Sequence, residues 1–149
     1  MQIKVDATLA CHKNKQDACE FFFQDLPPLE KKILIVEDHP DSRDLLALYL
    51  RMQGYTVYTA EDGLEGLKLI QLDRPALIIT DLSMPRLDGV EMIKRVRQIP
   101  ECRITPIIVM TAFGSGEESA ALKAGANQAI AKPIEYESLI HQINDLLPV

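Results

Sequence analysis

The sequence has no tryptophan, and aromatic residues make up only 5% of its 149 positions. So few rings leave little material for a base-stacking surface. Concentrated positive charge is missing too: 16 Lys and Arg stand against 22 Asp and Glu, for a net charge of −6. Nucleic-acid backbones are gripped by clustered cations, so direct nucleic-acid binding is disfavoured. Cysteine is scarce, with Cys11, Cys19 and Cys102 alone. An odd count without a framework argues against a disulfide-stapled secreted module and makes the cytoplasm the default location. Residues 1–25 lack the continuous apolar stretch of a signal peptide. No run approaches the roughly 18–20 apolar residues that a membrane span needs, so membrane insertion is not expected.

What is present is a 47% apolar chain of about one domain's length. It divides near Pro27-Pro28. Residues 1–29 are polar and without period, apart from Phe21-Phe22-Phe23, and are expected to form a partly disordered N-terminal extension. Residues 30–149 are regular. Ile33-Leu34-Ile35-Val36 reads as a buried strand, and Leu45, Leu48, Tyr49 and Met52 follow at helical spacing, stopped by Gly54. Tyr55–Ala60 is a second strand, and Leu64, Leu67 and Ile70 begin a second helix. A third strand from Ala76 ends at Asp81, and Val90, Ile93 and Val96 mark a third helix. A fourth strand from Ile107 ends at Thr111, and an Ala-rich helix follows to Gly125. A weak fifth strand spans 127–131, and Leu139, Ile140, Ile143 and Leu147 define a last amphipathic helix.

Alternating strands and helices with near-continuous apolar strands predict a parallel sheet covered on both faces. In such sheets functional groups gather beyond the carboxyl ends of the strands. Strand one ends in Glu37-Asp38, strand three in Asp81, strand four in Thr111 and strand five in Lys132. These residues should meet on one rim. Crowded carboxylates repel and raise one another's pKa unless a cation compensates. Mg²⁺ suits such a site, because it takes oxygen ligands and shares them with phosphate. No Cys or His enters the cluster, which disfavours zinc.

Taken in order, Ile33–Asp38, Asp81-Leu82-Ser83-Met84-Pro85-Arg86-Leu87-Asp88-Gly89, Thr111-Ala112, Gly125-Ala126 and Lys132-Pro133-Ile134 resemble the CheY-like receiver domains of response regulators. The resemblance covers about residues 31–147. It implies a flavodoxin-like (βα)5 fold with strand order 2-1-3-4-5. It also implies Asp81 as phosphoacceptor, with Asp38, Glu37, Asp81 and the backbone carbonyl of Ser83 as the Mg²⁺ site. Thr111 would hydrogen-bond the phosphoryl group, and Lys132 would pair first with Asp81 and then with a phosphoryl oxygen. The Lys132-Pro133 bond would be cis. The implied partners are a sensor histidine kinase or phosphotransfer protein and a downstream protein target, with the fourth and fifth helices as the face for any homodimer. Because the sequence ends soon after the fifth helix, no attached output domain is expected.

The sequence departs from the family at Ala129, where receivers carry Tyr or Phe three residues before the lysine. An altered readout is expected there, and Phe113 is a candidate substitute with an ordinary packing role as its simpler reading. The Thr111–Lys132 interval is about one residue short, which suggests a trimmed loop or a shortened fourth helix. Ser83 leaves room for water beside Asp81, and His39 could hydrogen-bond the rim. Cys11-His12 with Cys19 lacks a fourth metal ligand, and Lys94-Arg95-Arg97 reads as a solvated helix face.

The main rival function is a phosphorylation-independent interaction module, for which Ala129 is the best support. An aspartyl phosphatase would want a second Asp where Ser83 stands. A flavodoxin would want a hydroxyl-rich loop after strand one.

Overall fold

In the computed structural model, residues 31–112 and 114–147 are described. The N-terminal extension and Phe113 lie outside them. The chain runs β1 (Lys32–Val36), α1 (Pro40–Met52), β2 (Thr56–Ala60), α2 (Gly63–Asp73) and β3 (Leu77–Asp81). It continues through α3 (Gly89–Gln98), a short 3-10 turn (Pro100–Cys102), β4 (Ile107–Ala112), α4 (Glu117–Ala124), β5 (Gln128–Lys132) and α5 (Tyr136–Leu146). The five strands are parallel and ordered β2-β1-β3-β4-β5. The sheet is therefore the flavodoxin-like one.

Side chains alternate across each strand, so the apolar runs supply two cores. Leu34, Val36, Ile78, Ile107 and Val109 face Ile70, Met92, Ile93, Val96 and Ala121 of α2, α3 and α4. Ile33, Ile35, Leu77, Ile79, Ile108 and Met110 face Leu46, Ala47 and Leu50 of α1 with Leu139 and Ile143 of α5. All the strands point the same way, which puts residues 37–38, 81, 111 and 132 on a single edge of the sheet.

Helix α1 exists where expected but is rotated, so that of its four expected core residues only Tyr49 packs, partly buried, against the core. Its buried residues are Leu46, Ala47 and Leu50. Leu45 and Leu48 are each 56% exposed and Met52 75% exposed. Both rows of apolar residues satisfy a helical period, so periodicity fixes the helix and leaves its phase open. In α2, Leu64 is exposed and the glycines Gly63 and Gly66 are buried instead. A Cβ on Gly66 would lie 3.0 Å from a Val36 methyl, so α2 packs on β1 more closely than a larger residue would sit without displacing Val36. Such packing leaves no apolar signal in the sequence.

Arg97 corrects the reading of Lys94-Arg95-Arg97 as a solvated face. Its guanidinium donates to the carbonyls of Cys102 (3.3 Å), Arg103 (3.1 Å) and Thr105 (2.7 Å), twice to that of Gly125, and to Asn127 Oδ1 (3.0 Å). Asn127 Oδ1 also accepts the N–H of Ile107 (2.9 Å). The side chain thus knots α3 to the turns before β4 and β5, at the end of the sheet opposite the acidic rim. Burial lowers its pKa from the ordinary arginine value.

Candidate functional site

Lys132 is the centre of the rim. Its ammonium donates to Asp81 Oδ2 at 2.8 Å and to Glu37 Oε2 at 3.1 Å. The other oxygen of each carboxylate is held by the backbone: Ser83 N donates to Asp81 Oδ1 (3.2 Å) and His39 N to Glu37 Oε1 (3.1 Å). Each acid is thereby fixed between one ammonium and one peptide N–H. Asp81 and Glu37 are buried and Asp38 is exposed.

These contacts follow from local structure. Asp81 ends a fully buried strand, so its carboxylate is delivered from the core to the edge. Gly89 opens α3 directly behind it, where a Cβ would collide with the Asp81 carbonyl and come within 2.8 Å of Leu82 Cα. Asp62 and Asp88 cap α2 and α3 by accepting from Glu65 N (2.9 Å) and Glu91 N (2.8 Å). Both helices therefore start with their amino ends toward the rim. The Lys132-Pro133 peptide is cis, as expected.

Burial raises the pKa of Glu37 above the ordinary carboxylate value, and the nearby Asp81 charge adds to this. The His39 N–H and Lys132 offset only part of it. For Lys132 burial pulls downward, but the hydrogen bond and charge of Asp81, followed by those of Glu37, outweigh it and hold the ammonium above its usual pKa. Two of the three rim carboxylates thus share one ammonium.

Glu37, Asp38 and Asp81 each offer an oxygen, and these oxygens lie within 4.8 Å of one another. An all-oxygen donor set at this spacing fits a hard divalent cation such as Mg²⁺ better than zinc. Thr111 is buried one residue beyond Met110, the register partner of Asp81. It occupies the adjacent strand end, so all the expected rim residues share this corner of the fold. Ala129 is partly buried against the core beneath α2, α3 and α4.

The sequence reading missed Asp62, Asp88 and Arg86. The signal for the caps was there: Asp62-Gly63 and Asp88-Gly89 are each followed by a Glu three residues after the Asp, a helix-start pattern. Arg86 Nη1 lies 3.1 Å from Asp62 Oδ2, an ion pair across 24 residues that no local pattern announces. Beside Lys132 and Glu37 a groove of about 260 Å³ opens between α1 and the β5–α5 turn, lined by Leu45, Met110, Ile134 and Tyr136 among others.

Comparison with known proteins agrees with this geometry. The profile of the response regulator receiver domain matches residues 33–144. An uncharacterized 14.6 kDa protein of Leptolyngbya boryana is 39% identical over 112 residues, covering 74% of this chain and 86% of that protein. The response regulator MprA of Mycobacterium ulcerans is 40% identical over 117 residues, or 78% of this chain. The match spans 50% of MprA's length. A putative response regulator from Chloroflexus aurantiacus superposes with a TM-score of 0.75 at 37% identity, covering 78% of this chain and 96% of that one. The receiver domain of the sensor histidine kinase PA1611 from Pseudomonas aeruginosa, solved with a magnesium ion coordinated in its active-site cleft, gives 0.74 at 31% identity, with 78% and 96% covered. Two acids held by one lysine at the carboxyl edge of a 2-1-3-4-5 sheet, together with these matches, place the chain in the response regulator receiver domain family.

Proposed function

We propose that Asp81 accepts a phosphoryl group from the phosphohistidine of a sensor histidine kinase or phosphotransfer protein. The observation that carries this reading is the Lys132 ammonium lying 2.8 Å from Asp81 beside three converging carboxylates. A carboxylate oxygen of Asp81 attacks phosphorus, the P–N bond breaks, and its electron pair stays on the imidazole. The product is an acyl phosphate. Such transfers depend mainly on positioning and charge neutralisation. Lys132 supplies one cation, and the hydroxyl of Thr111, at the neighbouring strand end, would donate to a phosphoryl oxygen. Glu37, Asp38, Asp81 and the Ser83 carbonyl would hold Mg²⁺, which supplies the remaining positive charge when bound.

The family match over residues 33–144 supports a receiver unit at 30–149 with residues 1–29 outside it. Among the described residues no helix is long and apolar enough to cross a membrane. A phosphohistidine donor implies the cytoplasm as the place of action. The donor has an apolar landing face next to the site: the exposed stripe Leu45, Leu48 and Met52 on α1, continuous at Leu45 with the groove that ends at Lys132. An acyl phosphate on Asp81 carries roughly −1.5 to −2 charge in place of the carboxylate's single charge, and it projects new acceptor oxygens from the rim. Thr111 would move toward it, and the face of α4, β5 and α5 would carry the change to a protein target or a second copy.

Incubation with acetyl phosphate and Mg²⁺ tests the reading. One phosphate should appear by intact mass in wild type and vanish in Asp81→Asn and in EDTA. An unlabelled wild type would leave the interaction module, with its unusual Ala129, as the better account.

A further inference from the structure

The connection from β3 to α3 is anchored firmly at its ends and loosely in its middle. Leu82 N donates to Met110 O (3.2 Å), and Gly89 N donates to Leu82 O (3.0 Å). Between them Ser83, Pro85 and Arg86 are exposed. Arg86 has φ +68°, in the left-handed region that residues with a Cβ avoid. Leu87 N donates to Pro85 O at 2.8 Å, closing a three-residue ring around Arg86. An i to i+2 closure at positive φ is the uncommon and unfavourable form of the γ-turn. Something must hold a non-glycine residue there.

Asp62 is that restraint. Its side chain is only 10% exposed, whereas that of Arg86 is 69% exposed. One Asp62 oxygen caps α2, and the other forms an ion pair with Arg86 Nη1 at 3.1 Å. The next residue, Gly63, packs so closely on the turn that a Cβ would lie 2.9 Å from the Leu87 carbonyl. The turn is therefore seated on the amino end of α2, with the guanidinium across the joint. Upstream in the same loop, Ser83 N holds Asp81 Oδ1 at 3.2 Å.

We propose that Arg86 and Asp62 form a latch that positions the Ser83 backbone against Asp81, making both of them positioning residues for the chemistry at the rim. The consequence for phosphoryl transfer rests on the reading of Asp81 as phosphoacceptor; the latch itself does not. Asp62→Asn separates the roles of Asp62, because Asn caps a helix as well as Asp but offers Arg86 no charge.

The experiment uses the full chain and two readouts. Hydrogen exchange in metal-free protein follows the Ser83 and Leu87 amides, and acetyl phosphate labelling gives the half-saturating Mg²⁺ concentration. In Arg86→Ala and Asp62→Asn both amides should exchange at least threefold faster. Half-saturating Mg²⁺ should rise about three- to tenfold, with the rate at saturating Mg²⁺ within about twofold of wild type. Arg86→Lys, which keeps the charge, should stay within twofold of wild type on both readouts. A merely structural role would lower the melting temperature without this split and without rescue by lysine. Wild-type exchange at both amides in Arg86→Ala and Asp62→Asn overturns the latch. Failure of wild type to take phosphate overturns the phosphoacceptor reading instead, and the exchange result still decides the latch.

Discussion

Arg97 and Gly125 are joined by two hydrogen bonds, from Nε at 3.0 Å and Nη2 at 2.8 Å to the same carbonyl. The guanidinium stem also fills the space above the glycine, where a Cβ would sit 2.9 Å from Arg97 Cγ. Removing this group strands several turn carbonyls at once. Arg97→Met should cost about 2 kcal/mol, given about 1 kcal/mol for a typical hydrogen bond and partial rescue by water. Thermal melts followed by circular dichroism should show a drop of roughly 6 °C. Labelling of Asp81 by acetyl phosphate should persist, since Arg97 lies at the far end of the sheet.

The acidic rim is a source of instability until a cation arrives. Mg²⁺ at about 100 times its dissociation constant should add about 2.7 kcal/mol, seen as a higher melting temperature than in EDTA. Asp38→Asn should raise the melting temperature in EDTA, by relieving repulsion, and reduce the gain from Mg²⁺. An Asp38→Asn protein that keeps the full wild-type gain would remove Asp38 from the cation site.

Glu37 gives the metal-free protein a pH signature. Its folded pKa is raised, so the native state binds this proton more tightly than the unfolded chain does. The resulting stabilisation is complete below the unfolded carboxylate pKa and is lost as pH rises through the folded one. Unfolding in EDTA should therefore show Glu37 opposing the usual gain in stability just above the ordinary carboxylate range, and Glu37→Gln should erase that contribution. Lys132 is also raised, so its stabilisation persists to alkaline pH and fades only above the ordinary lysine pKa.

Leu48 separates docking from chemistry. It is 56% exposed, so Leu48→Glu should change stability by no more than about 0.5 kcal/mol. Acetyl phosphate should label the variant at the wild-type rate. Transfer from a phosphohistidine-bearing protein donor should slow about tenfold, equivalent to about 1.4 kcal/mol of lost binding. Equal slowing with both donors would place the defect in the site and not on α1.

Cys102 reports opening of the fold. It is buried, and burial pushes its thiol upward in pKa, with the Glu101 charge adding to the effect. The thiolate is the reactive form, so alkylation in native buffer should spare this residue and proceed only on unfolding. Peptide mapping distinguishes it from Cys11 and Cys19.

The sheet and the rim were legible because they depend on two simple signals. Buried parallel strands write themselves as runs such as Ile33–Val36 and Ile107–Met110, and the residue after each run lands on the common edge. The phase of α1 was not legible, since Leu45, Leu48 and Met52 repeat as well as Leu46 and Leu50 do. Nor was the knot at Arg97, whose partners, apart from the Asn127 side chain, are backbone carbonyls that any sequence would provide. Gly63 and Gly66 contribute to packing by what they lack. The pairing of Arg86 with Asp62 depends on two turns meeting in space, and only the three-dimensional fold brings them together.

The knot at Gly125 has a mechanical consequence. It pins the carboxyl end of the eight-residue helix α4, while the amino end follows a loop whose Gly114 and Gly116 both have positive φ. A helix tied this firmly at its carboxyl end has a fulcrum there. A small pull transmitted along β4 would be delivered as a swing of the amino tip of α4, greatest at Glu117 and vanishing at Ala124.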